Sequence, residues 1–336
     1  MSVVAGSLPN MGVQPSNPHD ALFRSIMQRD GQLAGELQIA LPPELVMRID
    51  WSVWRYIPND LVAPGLECRQ TDLFVETRFD GAEALMYIHV EHQSRPDPLM
   101  TFRMGEYMFG HWRQYVDRSE KVPTSLPVIL PVVVNSGPRN QPWRYSTQFA
   151  DMFALAEDAR AALTRYLPTF DIIVDDIAAI SLDELAKRPI PAAALLVFAL
   201  HKSASKNPDL VQTLAPVIEK FQNLENEPGG MIDLRDIIGY IVEVGDIDDD
   251  DFVELIDQFG PRAKEVAVTT AERFRAEGLE KGRVEGLTQS LLSLLTAKFG
   301  DVPTDVEDHI HAADPDQLQS WTLKILSATT IGEVFE

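Results

Sequence analysis

Two acidic residues, Asp72 and Glu91, form the pair in this sequence whose spacing best suits chemistry. Each stands in a segment with strand character, and an Asp80-Gly81 turn dipeptide separates the two segments. Across a β-hairpin, a residue near the start of one strand and one near the end of its partner lie opposite or diagonal, within about 5–8 Å. Two carboxylates at this short distance repel each other, and a hard divalent cation such as Mg²⁺ would relieve that repulsion. The spacing would therefore suit a divalent-metal centre with waters that can serve as nucleophiles.

The residues that follow Glu91 add to this predicted centre. Side chains alternate along a strand, so Gln93 shares the face of Glu91 while His92 points away. The backbone carbonyl of His92 is then a further candidate ligand for the cation. Zinc held by His89 and His92 is disfavoured, because the two imidazoles lie on opposite faces.

The same carboxylates also have a purely structural interpretation. Asp72 would then be a residue at the edge of a strand, and Glu91 would be an ion-pair partner of Arg78 or Arg95. Spacing alone does not decide between this interpretation and a metal centre, because short motif matches are weak.

The elements that must position these residues are predicted from apolar periodicity. Alternation predicts strands over 69–79 and 85–93, and helical spacing predicts a helix over 99–115. The apolar run 126–135 predicts a buried strand, although Pro131 removes one ladder donor and argues against a central position. A first helix is predicted from Asp20 to about Leu41.

Beyond about residue 150 the strand signals fade, and helices predominate. The predicted organisation is a disordered segment (1–17), an α/β domain (18–200), an acidic helical region (201–277), a linker helix with a glycine repeat (278–290) and a C-terminal helical tail (291–336). Gly278, Gly282 and Gly286 recur on nearly one side of a helix. They suit either close helix contact in a homo-oligomer or a flexible linker.

Arg103 and Tyr107 stand four residues apart on one face of the predicted helix, directly after the candidate centre. They suit contact with a nucleic-acid phosphate, and they equally suit a packing pair with Glu106 or Asp97. His19-Asp20 is interpreted as a helix start.

Composition limits the possible functions. The chain has 336 residues, one cysteine and a formal net charge of −22, with no apolar run long enough to cross a membrane. A disulfide framework and a Cys-rich zinc ribbon are excluded, and a cytoplasmic location is expected. The acidity lies in the second half: residues 1–150 hold 13 Lys and Arg against 16 Asp and Glu, and residues 151–336 hold 16 against 35. The first half therefore remains compatible with a nucleic-acid partner.

Several motifs in order resemble one family. They are His19-Asp20-Ala-Leu-Phe-Arg24, Thr71-Asp72-Leu73, Val90-Glu91-His92-Gln93-Ser94-Arg95-Pro96-Asp97, Phe102-Arg103-Met-Gly-Glu-Tyr107 and Leu126-Pro-Val-Ile-Leu-Pro-Val-Val. Over about residues 18–150 the chain resembles the Rpn/YhgA-like family of recombination-promoting nucleases and transposases, a branch of the PD-(D/E)XK nuclease superfamily.

The resemblance implies a restriction-endonuclease-like mixed sheet flanked by helices, with residues 18–200 as its nuclease domain and a mostly helical C-terminal region. It implies a Mg²⁺-dependent DNA endonuclease in which Asp72 and Glu91 hold the cation. Gln93 would fill the position usually held by a lysine, and because glutamine carries no charge it could only orient the water or the phosphate. The alternative is a catalytically silent relative that binds DNA or protein as a scaffold, and RNA also remains open as a substrate.

Overall fold

A computed structural model describes residues 17–57, 73–80, 84–93, 95–137 and 141–335. The chain divides at residue 266 into two compact units, and the sheet lies in the first of them. The sequence-predicted boundaries at residues 200, 277 and 290 stay predictions. Within the described residues, no helix has both the length and the apolar character that a membrane crossing requires.

The first unit contains a five-stranded mixed sheet in the order β1-β2-β3-β4-β5. Its strands are β1 (Arg55–Ile57), β2 (Leu73–Phe79), β3 (Ala84–Gln93), β4 (Val128–Asn135) and β5 (Ile173–Asp175). Strand β2 is antiparallel to both β1 and β3, whereas β4 runs parallel to both β3 and β5. The predicted hairpin and the mixed α/β class are thus confirmed.

Helices make up most of the remaining described chain. Up to the sheet's last strand they are α1 (Pro18–Met27), α2 (Gln32–Ala40), α3 (Pro43–Val46), α4 (Met100–Arg118) and α5 (Glu157–Leu163). After it come α6 (Leu182–Leu185), α7 (Ala192–Ser203), α8 (Leu210–Thr213), α9 (Ile218–Leu224), α10 (Gly230–Val244), α11 (Asp249–Phe259), α12 (Pro261–Phe299), α13 (Thr304–His311), α14 (Pro315–Lys324) and α15 (Gly332–Phe335).

Helix α4 covers one face of the sheet. Its buried residues Met100, Met104 and Tyr107 pack against Val133 of β4, as helical spacing predicts. Val132 and Val134 are fully buried on the opposite face, because side chains alternate along a strand. Both faces of β4 are therefore covered, which accounts for its continuous apolar sequence.

The opposite face of the sheet is tied to α2 by buried charges. Arg188 donates hydrogen bonds of 3.0 Å to Asp175 of β5 and to Glu36 of α2. Glu36 is fully buried, and the side chains of Arg188 and Asp175 are mostly so. This cluster holds the end of β5 against the N-terminal helices.

These elements differ from the sequence analysis in three respects. The first helix is two helices, because the chain turns at Gly31, whose φ of +81° suits glycine. Strands β1 and β5 were not predicted, since three residues are too few to show a period. Pro131 lies in an interior strand, opposite His89.

The second unit has a core of its own. It is formed by Leu291, Leu295, Ile310, Leu318, Trp321, Ile325, Ala328 and Val334. The glycine repeat falls within the continuous helix α12, where a Cβ atom added at Gly282 or Gly286 would meet no atom within 4 Å. The homo-oligomer interpretation of the glycine repeat stays a prediction.

Candidate functional site

The backbone register places the predicted catalytic segments at one end of the sheet. Leu73 pairs with Val90 across the β2/β3 hairpin, and Gln93 pairs with Asn135 in the parallel β3/β4 ladder. Strands β3, β4 and β5 end together here, and we call this end the carboxyl edge. Glu91 and Gln93 are therefore placed at the carboxyl edge by register, while Asp72 lies outside the described residues.

Asn135 ends β4 at the carboxyl edge and is fully buried. Its side-chain nitrogen donates to the carbonyl of Gln141 at 3.0 Å and to Oδ1 of Asp176 at 2.7 Å. Among the residues that the structure describes, its side-chain oxygen has no hydrogen-bond partner. A buried acceptor without a partner costs free energy, so this oxygen is a candidate contact for a ligand.

Asp176 follows β5 and fixes the chain around the carboxyl edge. Its Oδ1 accepts from Asn135, and its Oδ2 accepts the backbone N–H of Trp143 at 2.7 Å. The carboxylate of Asp176 thus connects the ends of β4 and β5 to the segment around Trp143, which follows β4.

A cleft of about 1280 Å³ opens at the carboxyl edge. The described residues that line it include Asn17, His19, Arg95, Gln141, Ser181, Leu182, Asp183, Lys202, Ser203, Ser205, Lys206, Asn207, Thr213 and Pro216. Arg95 stands two residues after Gln93, and Gln141 is bonded to Asn135. The cleft therefore adjoins the ends of β3 and β4.

The aromatic side chains of His19 (α1), His201 (α7) and Tyr240 (α10) contact one another beside the cleft. The hydroxyl of Tyr240 lies 2.5 Å from Nδ1 of His19, and Nδ1 of the buried His201 lies 3.0 Å from the hydroxyl of Ser136. Burial raises the pKa of Tyr240 above its ordinary value, so its hydroxyl stays protonated at neutral pH. His19 starts α1, as expected from the sequence, and also lines the cleft.

Arg103 and Tyr107 are in contact on α4. Arg103 donates to the hydroxyl of Tyr107 at 2.8 Å and to the carboxylate of Asp97 at 2.9 Å. Tyr107 is buried, and the side chain of Arg103 is 17% exposed. The packing pair with Asp97 is thus observed, and contact of these two residues with DNA stays a prediction.

Sequence reasoning missed several residues of this edge. Asp176 was not predicted because the short strand β5 that precedes it was not predicted. Lys202 and Lys206 were not predicted because they lie far from the hairpin in sequence. Asn135 carried the clearest signal, since it is a polar residue that ends an apolar strand run.

The family resemblance implies a hard cation such as Mg²⁺ at the carboxyl edge, and such a cation would take oxygen ligands. One oxygen suited to that role is the buried side-chain oxygen of Asn135, which has no hydrogen-bond partner among the described residues and belongs to the residue paired with Gln93. Within the described ranges, no three His, Cys, Asp or Glu side chains group closely enough to hold a metal ion. The predicted ligand Asp72 lies outside those ranges.

Together, the sheet and cleft define a mixed α/β protein with a polar cleft at the carboxyl ends of its parallel strands, where open α/β sheets commonly bind ligands. The chain belongs to the family described as "Putative transposase, YhgA-like", whose model matches residues 17–231. This confirms the resemblance found in the sequence motifs.

Curated relatives from Escherichia coli strain K12 extend the comparison. "Recombination-promoting nuclease RpnA" is 25% identical over 266 residues, 79% of this chain and 86% of that protein. "Inactive recombination-promoting nuclease-like protein RpnE" is 24% identical over 284 residues, 83% of this chain and 88% of that protein. "Recombination-promoting nuclease RpnC" is 26% identical over 164 residues, 49% of this chain and 53% of that protein. No solved structure matches the chain significantly.

Proposed function

We propose that this protein is a Mg²⁺-dependent DNA endonuclease with a restriction-endonuclease-like fold, linked to DNA recombination or transposition. Two relatives that carry the name of recombination-promoting nuclease support the reaction class. The mixed sheet supports the fold, because an antiparallel hairpin continues into parallel strands whose carboxyl ends border a cleft.

One observation carries the proposal: Leu73 pairs with Val90. Asp72 precedes Leu73 and Glu91 follows Val90, so both acids belong to the same end of the hairpin in sequence. If the antiparallel pairing continued by one residue, these two carboxylates would be direct partners, which is the spacing that a shared cation needs.

Each residue of the proposed site has a role. Asp72, Glu91 and the backbone carbonyl of His92 would hold Mg²⁺, and Gln93 would orient the attacking water or the scissile phosphate through its amide. When bound, Mg²⁺ lowers the pKa of water and offsets the charge that builds up on the phosphate. The hydrogen bonds of Asn135 and Asp176 keep the strand ends at fixed positions beside Gln93.

Cleavage of a supercoiled plasmid with Mg²⁺ tests this proposal. Asp72→Asn and Glu91→Gln should each lower the cleavage rate at least a hundredfold, since each removes a charged ligand. Glu76→Gln is the matched control, because Glu76 lies in the same hairpin and pairs with Arg55 on a partly exposed face. Similar melting temperatures for all variants would show that the fold is intact.

A second candidate function is a catalytically silent scaffold that binds DNA or protein. It is favoured by the similarity to RpnE, whose name states that it is inactive. DNA binding without cleavage across Mg²⁺ and Mn²⁺, on both plasmid and single-stranded DNA, would support the scaffold and contradict the endonuclease. Faster cleavage of RNA than of DNA would make RNA the substrate.

A further inference from the structure

The cleft at the carboxyl edge has the opposite charge balance to the chain as a whole. The sequence holds 29 Lys and Arg against 51 Asp and Glu. Among the described residues that line the cleft, Arg95, Lys202 and Lys206 are basic and Asp183 is acidic. Basic residues gathered in a cleft attract anions strongly, because the low-dielectric walls focus their field. This local reversal in an acidic protein points to an anionic ligand.

Lys202, the penultimate residue of α7, is held in position by two backbone carbonyls. Its Nζ donates to the carbonyl of Ile177 at 2.9 Å and to that of Ala178 at 3.1 Å. An ammonium group has three donors, so these two acceptors within the described part of the chain leave one N–H for a ligand. Burial lowers the pKa of Lys202, and the carboxylate of Asp176 opposes that shift. A bound anion would stabilise the ammonium form further.

Lys206 provides a second, independent observation. Its φ is +54°, in the left-handed region that L residues with long side chains rarely adopt. Glycine or asparagine would suit this backbone better, yet an exposed lysine stands there and lines the cleft. Strained backbone of this kind tends to occur at functional positions.

We propose that the cleft binds the phosphodiester backbone of a DNA strand, with Lys202 as a fixed contact, Lys206 as a contact at the rim, and Arg95 as a source of longer-range attraction. The inference rests on the proposed function for the choice of DNA as ligand. It extends that function by assigning strand binding to α7 and the segment after it, outside the hairpin that carries Glu91 and Gln93. Lysine contacts to phosphate position a strand without reading its sequence.

The experiment measures binding of the full-length protein to a fluorescein-labelled DNA duplex by fluorescence anisotropy, in EDTA and over a range of KCl concentrations. Lys206→Gly and Lys202→Gln should each weaken binding roughly fivefold at low salt and lower the salt slope by about one. Lys206→Gly should also leave the melting temperature unchanged or raise it, since it relieves the left-handed backbone. Lys264→Gln is the matched control, because Lys264 is exposed, pairs with Asp257 and does not line the cleft.

The outcomes separate this inference from the proposed catalysis. Unchanged affinity and salt slope in both Lys206→Gly and Lys202→Gln would overturn the inference, even if the wild type cleaves plasmid. Absence of DNA binding by the wild type, or tighter binding of RNA, would also overturn it. Weakened binding in the variants would support it even if the wild type never cleaves DNA. If Lys202→Gln fails to fold, Lys206→Gly alone decides the question.

Discussion

The side-chain amide of Asn135 donates a 2.7 Å hydrogen bond to Oδ1 of Asp176, so a single contact joins the ends of two parallel strands. The other oxygen of Asp176 accepts the backbone N–H of Trp143. This arrangement fixes the carboxyl edge where Gln93 pairs with Asn135.

Removal of this carboxylate should destabilise the fold. Asp176→Ala leaves one N–H of the buried Asn135 amide and the backbone N–H of Trp143 without their acceptor, and each unpaired donor costs about 1–3 kcal/mol. We expect a loss of about 2–4 kcal/mol in the free energy of unfolding, measured by urea denaturation. Glu243→Ala, at an exposed site, should change it by less than about 0.5 kcal/mol. Equal effects of the two substitutions would contradict a bridging role for Asp176.

The buried Glu36 should make stability depend on pH. Burial raises its pKa well above 4.5, a hydrogen bond to Asp175 and the charge of Asp175 add to this, and the charge of Arg188 acts in the opposite direction. A raised carboxyl pKa means that the folded state holds its proton more tightly than the unfolded state. The resulting stabilisation is complete below about pH 4.5 and is lost as pH rises through the folded pKa.

Glu36→Gln should remove this pH dependence, because glutamine is neutral at every pH and, like the protonated carboxyl, offers both a donor group and an acceptor group. The free energy of unfolding of the variant relative to the wild type should therefore rise from pH 4.5 towards neutrality, as followed by urea denaturation at several pH values. A constant difference between the two proteins across this range would show that Glu36 titrates normally.

The contact between Arg103 and Tyr107 should contribute to stability. Tyr107→Phe removes the acceptor of a 2.8 Å hydrogen bond in a mostly buried setting, and a loss of about 1 kcal/mol is expected. A double-mutant cycle with Arg103→Met measures the interaction directly. A coupling energy near zero would mean that the hydrogen bond adds nothing to the folded state.

The same arginine tests the predicted DNA contact. If Arg103 touches phosphate, Arg103→Met should weaken DNA binding and lower the salt slope by about one. Arg113→Met is the control, because Arg113 lies on the same helix, is largely exposed and pairs with Asp117. Equal DNA affinities for the two variants would leave Arg103 with a structural role only.

Alanine substitutions of glycines in two helices should change the stability of the protein in opposite directions. A Cβ atom at Gly286 would meet nothing within 4 Å, so Gly286→Ala should stabilise the protein by up to about 1 kcal/mol through helix propensity. A Cβ atom at Gly35 would lie 2.6 Å from the ring of Pro191, so Gly35→Ala should destabilise it by about 1–3 kcal/mol. Thermal unfolding measures both changes. Destabilisation by Gly286→Ala, together with loss of a dimer in size-exclusion chromatography, would instead support the homo-oligomer interpretation of the glycine repeat.

The sequence by itself determined the β2/β3 hairpin, helix α4, the buried strand β4 and the family, because these depend on local periodicity and on motifs within short stretches of chain. It also placed Glu91 and Gln93 on one side of a strand, which alternation alone requires. Only the tertiary structure decided the three-residue strand β5, the interior position of Pro131, and the cleft that unites His19, Arg95 and Lys202. These features depend on packing between segments distant in sequence, and no local pattern of residues encodes which distant segments will meet.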